Sequence, residues 1–286
     1  MIPDQSAFSQ SVQKYRHKTY RYDPGNHIKS ESQAVDFVNQ RKFVFFWPIK
    51  GIPLPSLWCA TAGNRPVPNN HDDPGHITWR WKDNLLGKGH WYYAKVLRRK
   101  STIIALTMLE YFFALTGTAF HTIEDLEYLH RIGKQSQIEI EIFSLLLSSG
   151  PLDAITIRDR LKTSLAYSSA EFNRAMEKLQ SGFHILPTGI ANTGRWHYAY
   201  LYDTVEHIYP QKLRNADKIS KEKARQKILS AYFLSNGAAA FSDIKKLFHW
   251  KKPEISLVLD QMQQNGFIRC HEKANDSVYF IQELLV

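Results

Sequence analysis

Residues 223–269 read KARQKILSAYFLSNGAAAFSDIKKLFHWKKPEISLVLDQMQQNGFIR. The first fifteen, ending at Gly237, have the pattern of a helix closed by glycine. Ser242 stands as N-cap to a short helix, DIKKLF, and Lys252-Pro253 opens a longer one, EISLVLDQMQQN. Gly266-Phe267-Ile268-Arg269 then begins a strand expected to pair with Val278-Tyr279-Phe280. The same order stands earlier in the chain. Residues 137–150 (QIEIEIFSLLLSSG) form an apolar helix, and Thr156 caps a short one ending near Leu161. Ser169 caps AEFNRAMEKLQS, and Gly182-Phe183-His184-Ile185 begins a strand. Helix, short helix, longer helix and two-stranded wing is the winged-helix form of helix-turn-helix. Two units in register carry more weight than one. The glycines at 182 and 266 predict a left-handed turn ending each third helix.

Upstream, Trp91–Val96 and Thr102–Leu106 read as two strands joined by Arg98-Arg99-Lys100, a wing with a basic tip. Ser30-x-x-Gln33 predicts a capping box for a helix over 31–42. Residues 43–49 (FVFFWPI) are an apolar core run ended by Pro48, and Ser56–Ala62 a short helix with Leu57 and Trp58 inward. Residues 63–75, rich in proline, asparagine and glycine, must be loop. Thr122 caps a helix through His130, inside an acidic segment expected to face away from a polyanion. The expected fold is mainly α with small β-wings, in three tandem winged-helix domains. These cover 30–133, 134–210 and 211–286, after a polar N-terminal arm (1–29) that carries cations among tyrosines.

The net charge of +10 and pI near 9.4 point to a polyanionic partner, duplex DNA before an anionic membrane. Two distant cysteines, Cys59 and Cys270, exclude a disulfide framework and zinc-finger spacing, so a reducing cytoplasm is expected. The start of the chain has no apolar signal segment. The apolar run Ser101–Phe120 carries Glu110 and five Ser/Thr, and is read as a strand followed by an amphipathic helix rather than a span. No extended heptad or apolar dimer helix is visible, so a monomer is expected.

Between Trp79 and Lys100 seven Lys/Arg face one acid, Asp83, among three tryptophans and two tyrosines. Cations meet phosphates and flat rings stack on bases, so Trp79, Trp81, Lys82, Arg98, Arg99 and Lys100 are candidate DNA contacts. If residues 79–86 are helical, Trp79 and Trp81 point to different sides and one belongs to the core. Residues 211–252 hold eleven Lys/Arg against three acids, and Lys245, Lys246, Lys251 and Lys252 gather before the third helix of the last unit. About 4–6 phosphate contacts there make binding fall steeply with salt.

The tandem units, preceded by FVFFWPI, SLW and a cation-Ser-Thr strand, resemble the AlkZ/YcaQ-type DNA glycosylases. The likeness is closest at Pro48-Ile49, Leu57-Trp58 and Arg99-Lys100-Ser101-Thr102, and GIPLPSLWCATAGNRPVPNNHDDPGH looks like an AlkZ-related branch. The resemblance implies release of alkylated bases and unhooking of interstrand crosslinks. It also implies a catalytic Gln-x-Gln or Gln-x-Asp pair, but those positions fall on Phe45 and Trp47. A phenyl ring offers no hydrogen bond and an indole only donates, so the family motif does not carry over.

Cleaving an N-glycosidic bond needs a group that activates water and offsets charge on the sugar cation. His71, Asp72 and Asp73, followed by His76, form the one dense acid–histidine cluster beside the basic aromatic stretch. The competing reading is an Asp-Asp-Pro-Gly turn whose carboxylates cap backbone amides. His71, Asp73 and His76 lack a fourth metal ligand, and no metal or cofactor is expected. Lys82-Asp83 offers an amine for a lyase step, or is a helix-surface lysine. The competing function is a non-catalytic winged-helix regulator or adaptor.

Overall fold

The computed structural model describes residues 5–116, 122–194, 197–272 and 276–285. The first four residues of the expected arm and the end of the apolar run, 117–120, lie outside them. In chain order the regular elements begin with α1 (Gln5–Thr19), α2 (Glu31–Arg41), β1 (Phe43–Phe45), α3 (Leu57–Ala62), α4 (Ile77–Leu85), β2 (Tyr92–Lys95), β3 (Ser101–Ile104) and α5 (Leu109–Thr116). They continue with α6 (Ile123–Arg131), α7 (Gln137–Ser149), β4 (Leu152–Asp153), α8 (Ala154–Leu161), α9 (Ser169–Ser181), β5 (Ile185–Ala191), β6 (Ala199–Thr204), α10 (Val205–Ile208) and α11 (Pro210–Ala216). The last are α12 (Lys221–Asn236), β7 (Ala238–Ala240), α13 (Phe241–Phe248), α14 (Lys252–Gln264), β8 (Ile268–His271) and β9 (Val278–Ile281).

The order helix, short strand, helix, helix, strand, strand occurs three times: from α2, from α7 and from α12. The strand orders repeat with it, as β1-β3-β2, β4-β6-β5 and β7-β9-β8. The short first strand of each set was not legible in the sequence, because two or three residues are too few to show a period. Its pairing is antiparallel in the second and third sheets, Leu152 opposite Tyr202 and Ala238 opposite Phe280.

By contacts the chain forms two compact units. The first holds Met1–Trp81, Ile103–Met108 and Lys221–Val286. In it Phe43, Val44 and Phe45 are fully buried, as the apolar run predicts, and Leu57 and Trp58 of α3 point inward. Within the N-terminal arm Gln5–Thr19 form α1, and its side chains serve the end of α12. A helix leaves its last carbonyls without intrahelical donors. Tyr15 donates to the Leu234 carbonyl at 2.8 Å, Thr19 to Ser235 at 2.8 Å, and Arg16 to Asn236 at 3.1 Å and Ala238 at 2.8 Å. Polar residues with no apolar period thus form a helix because tertiary partners use their polarity.

The second unit holds Lys82–Thr102 and Leu109–Ser220. Its core joins α7, α8 and α9, with Ile142, Phe143, Leu146, Ile157 and Leu179 fully buried. Several caps differ from expectation by a residue or more. Asp153, not Thr156, caps α8 and accepts from the Ile155 and Thr156 amides. Ser168, not Ser169, closes a capping box with Glu171 on α9. In the first unit, Ser242 lies inside the first turn of α13 and bonds Asp276. Thr122 caps as expected, and Ser30 accepts from the Gln33 amide, but the Gln33 side chain takes the Lys29 amide rather than closing the expected box on Ser30. Gly266 is left-handed at φ +70°, but Gly182 is not: Phe183 takes that conformation at φ +59°. Gly182 is needed for space, since a Cβ there would lie 2.8 Å from the His184 ring.

Candidate functional site

In the first unit, aromatic and imidazole rings gather around Trp47. Its ring lies 5.8 Å from His76, 5.8 Å from Trp79 and 6.3 Å from Trp58. His76 lies 6.2 Å from Trp79 and 6.3 Å from His71. The backbone sets Trp47 there, because the Phe46 carbonyl accepts from the Trp58 amide at 3.1 Å and fastens the end of β1 to α3. Trp79 is 38% exposed, whereas Trp58 is fully buried. The Trp58 Nε1 and His76 Nδ1 are buried without a hydrogen-bond partner among the described residues. Such atoms are uncommon because each forfeits its hydration, and they mark places where a polar partner would be welcome.

The acid–histidine stretch supplies the scaffold of this cluster. Asp73 accepts from the Gly75 amide at 2.8 Å and from Arg65 at 2.6 Å, while the Arg65 guanidinium sits 4.8 Å from the centre of the Trp58 ring. The Arg65 hydrogen bond, aided by the Gly75 amide, holds the Asp73 carboxyl below the ordinary range. Gly75 allows the turn to close, since a Cβ would lie 2.7 Å from Ala62 and 3.2 Å from Trp58 Nε1. Asp73 is therefore engaged as a turn former that carries His76 to the rings. Asp72 and His71 are exposed, and the Asp72 carboxylate has no partner among the described residues. Phe45 is fully buried and Trp47 belongs to the ring cluster, so neither position offers an acceptor that could take a proton from water.

The basic candidates separate by unit. In the second unit Arg98, Arg99 and Lys100 are all exposed in the connection between β2 and β3, with Arg98 and Arg99 left-handed at φ +55° and +54°. Arg99 also lines an open groove of about 470 Å³ with Tyr167, Arg174 and Lys178, residues that sequence reasoning did not single out. In the first unit Lys245, Lys246, Lys251 and Lys252 are all exposed around the α13–α14 turn, where His249 is left-handed at φ +57°. Lys246 donates to the Gly51 carbonyl at 3.0 Å.

Two expected DNA contacts are placed otherwise. Trp81 is 5% exposed and belongs to the core, the alternative that its helical spacing from Trp79 allowed. Lys82, expected on a helix surface, has no exposed area. Within the second unit its amine lies 2.8 Å from the Asp83 carboxylate and 3.2 Å from the Tyr198 hydroxyl, and it also bonds the Tyr200 hydroxyl. Tyr198 donates to both Asp83 oxygens, at 3.0 and 3.1 Å. Burial pushes the Lys82 amine below its usual value, and the Asp83 carboxylate opposes that shift. The signal missing from the sequence was Tyr198 and Tyr200, over a hundred residues away.

Among the described residues no group of three or more His, Cys, Asp or Glu could hold a metal ion, and no helix is long and apolar enough to cross a membrane. A family model described as AlkZ-related matches residues 28–249 of the chain. The fold is similar to that of the DNA glycosylase AlkZ of Streptomyces sahachiroi, with a TM-score of 0.58 and 13% sequence identity, over 96% of this chain and 70% of that one. A search of the curated proteins returned no match.

Proposed function

Because the chain belongs to the AlkZ-related family, we propose that it is a glycosylase-like protein of DNA repair that grips duplex DNA and takes one base out of the stack. The observation that carries this reading is the Trp47–His76–Trp79 cluster, in which the exposed Trp79 ring lies beside the His76 imidazole, whose Nδ1 has no hydrogen-bond partner among the described residues. A flipped base offers a flat π face and polar edges, and such a site meets both needs. The thrice-repeated strand order supports tandem winged helices over 30–133, 134–210 and 211–286. Arg98–Lys100 and Lys245, Lys246, Lys251 and Lys252 supply the phosphate contacts. The protein acts as a monomer and needs no cofactor.

Base release follows extrusion, and Asp72 is the group in the His71–Asp73 stretch left to orient water, because Asp73 is bound to Arg65 and Gly75. Incubating the full chain with alkylated and with crosslinked duplex, then counting abasic sites, tests the reading. Abasic sites that vanish in Asp72→Asn and persist in Asp73→Asn are the expected result. Absence of any duplex binding at low salt would overturn it. A second reading, a damage-binding adaptor without chemistry, is favoured by one observation: apolar rings occupy positions 45 and 47. Tight binding of damaged duplex with no abasic sites is its signature.

A further inference from the structure

Lys82 is the buried nucleophile that base recognition leaves unused. Its amine sits among Tyr93, Tyr198 and Tyr200, with ring centres 5.5, 5.9 and 4.7 Å away, and is paired with Asp83. We infer that Lys82 forms an imine with the C1′ aldehyde of an abasic deoxyribose in duplex DNA, with Asp83 and Tyr198 moving its protons. The inference rests on the DNA-repair reading above.

The surroundings suit a neutral amine as well as a charged one. The Tyr200 hydroxyl can accept from an N–H or donate to a nitrogen lone pair, and Tyr198 keeps Asp83 hydrogen-bonded, so loss of the proton strands no partner. Burial disfavours the ammonium, and the free amine is the form that attacks a carbonyl. A lysine serving only as a salt bridge would gain more from carboxylates than from phenols, and this amine meets two phenol hydroxyls beside the Asp83 carboxylate. Tyr198, which bonds both the amine and Asp83, is 40% exposed and carries this buried group to the surface.

The chemistry balances with water alone. The amine lone pair attacks C1′, a C–N bond forms, and the carbonyl oxygen takes a proton to give a carbinolamine. That hydroxyl leaves as water, producing the iminium. The Asp83 carboxylate then removes a C2′ proton. Its electron pair becomes the C2′=C3′ bond as the C3′–O bond breaks and the phosphate departs. Water hydrolyses the imine and returns the amine.

The test uses the full chain and a duplex carrying one preformed abasic site, so that base release is not required. Borohydride is added as the reductant that turns an iminium into a stable secondary amine, and the crosslinked peptide is mapped by mass. Linkage at Lys82, with a trapping rate that rises with pH below the ordinary lysine range, is the expected result. At least a tenfold loss of crosslink in Lys82→Arg accompanies it. A crosslink mapped to other amines, or none at all while the duplex still binds, overturns the inference and leaves the DNA-repair reading standing. No binding of the abasic duplex removes both. Mapping on the unmodified chain keeps the test decisive even if a Lys82 variant folds poorly.

Discussion

Trp79 and Lys82 stand three residues apart on α4, yet the tryptophan is 38% exposed and the lysine fully buried. Side-chain chemistry alone predicts the opposite. Each exception has local partners. Trp79 meets Trp47 and His76 in one unit, and Lys82 meets Tyr198, Tyr200 and Asp83 in the other. Burial of a charged group is tolerated where hydrogen bonds replace its water, and exposure of a large ring is informative where other rings gather around it. Residues that defy their ordinary place are thus the ones to test for function.

The largest effect should come from Trp81, the tryptophan of α4 that lies in the core. Trp81→Ala should cost about 3–5 kcal/mol of stability, read from urea unfolding. Trp79→Ala should leave stability within about 0.5 kcal/mol, as surface changes do. It should instead weaken binding of duplex with an extruded base by about 1–3 kcal/mol, the worth of one stacked base. Equal stability losses in the two variants would erase the distinction between platform and core.

Smaller effects separate the basic corners. Changing Arg98, Arg99 and Lys100 together to Ala should reduce the slope of log affinity against log salt by about 2–3. An unchanged slope would remove that connection from the footprint. The corresponding change of Lys245, Lys246, Lys251 and Lys252 should act alike if that corner meets phosphate, and leave the slope untouched if it does not.

The smallest effect is a pH dependence. The Lys82 amine is depressed in the folded chain, so between its folded and unfolded values the unfolded chain binds the extra proton. Its burial cost is full at pH values below the folded value and fades as pH rises toward the ordinary lysine range. Urea midpoints of the native chain should therefore rise relative to those of Lys82→Met over that window. The comparison belongs below pH 10, because buried tyrosines such as Tyr202 and Tyr209 hold their protons more firmly when folded and oppose the trend above it. Parallel curves would leave Lys82 charged throughout.

What could be read from the sequence follows physical range. Ser30, Thr122 and the run at 43–46 announced themselves because capping and apolar burial are decided within a few residues. The basic stretches at 98–100 and 245–252 were visible as composition, and their lysines and arginines are exposed. Asp73 could be read as catalytic or as a turn former, and only Arg65 and Gly75 in place select the turn. Trp47 was legible as a departure from a family motif but not as the centre of a ring cluster, since Trp58 and the His76–Trp79 stretch come from segments separated from it and from each other. Tyr198 and Tyr200, which bond Lys82, lie on a distant strand and its approach, and no local pattern ties them to α4.

The most direct measurement is the ratio of affinities for duplex with and without a single alkylated base, taken for the native chain and for Trp79→Ala. A clear preference for the damaged duplex in the native chain, lost in the variant while undamaged duplex binds as before, is the predicted result. Equal affinities in the native chain, or a preference that survives without Trp79, would contradict the aromatic platform as the seat of recognition.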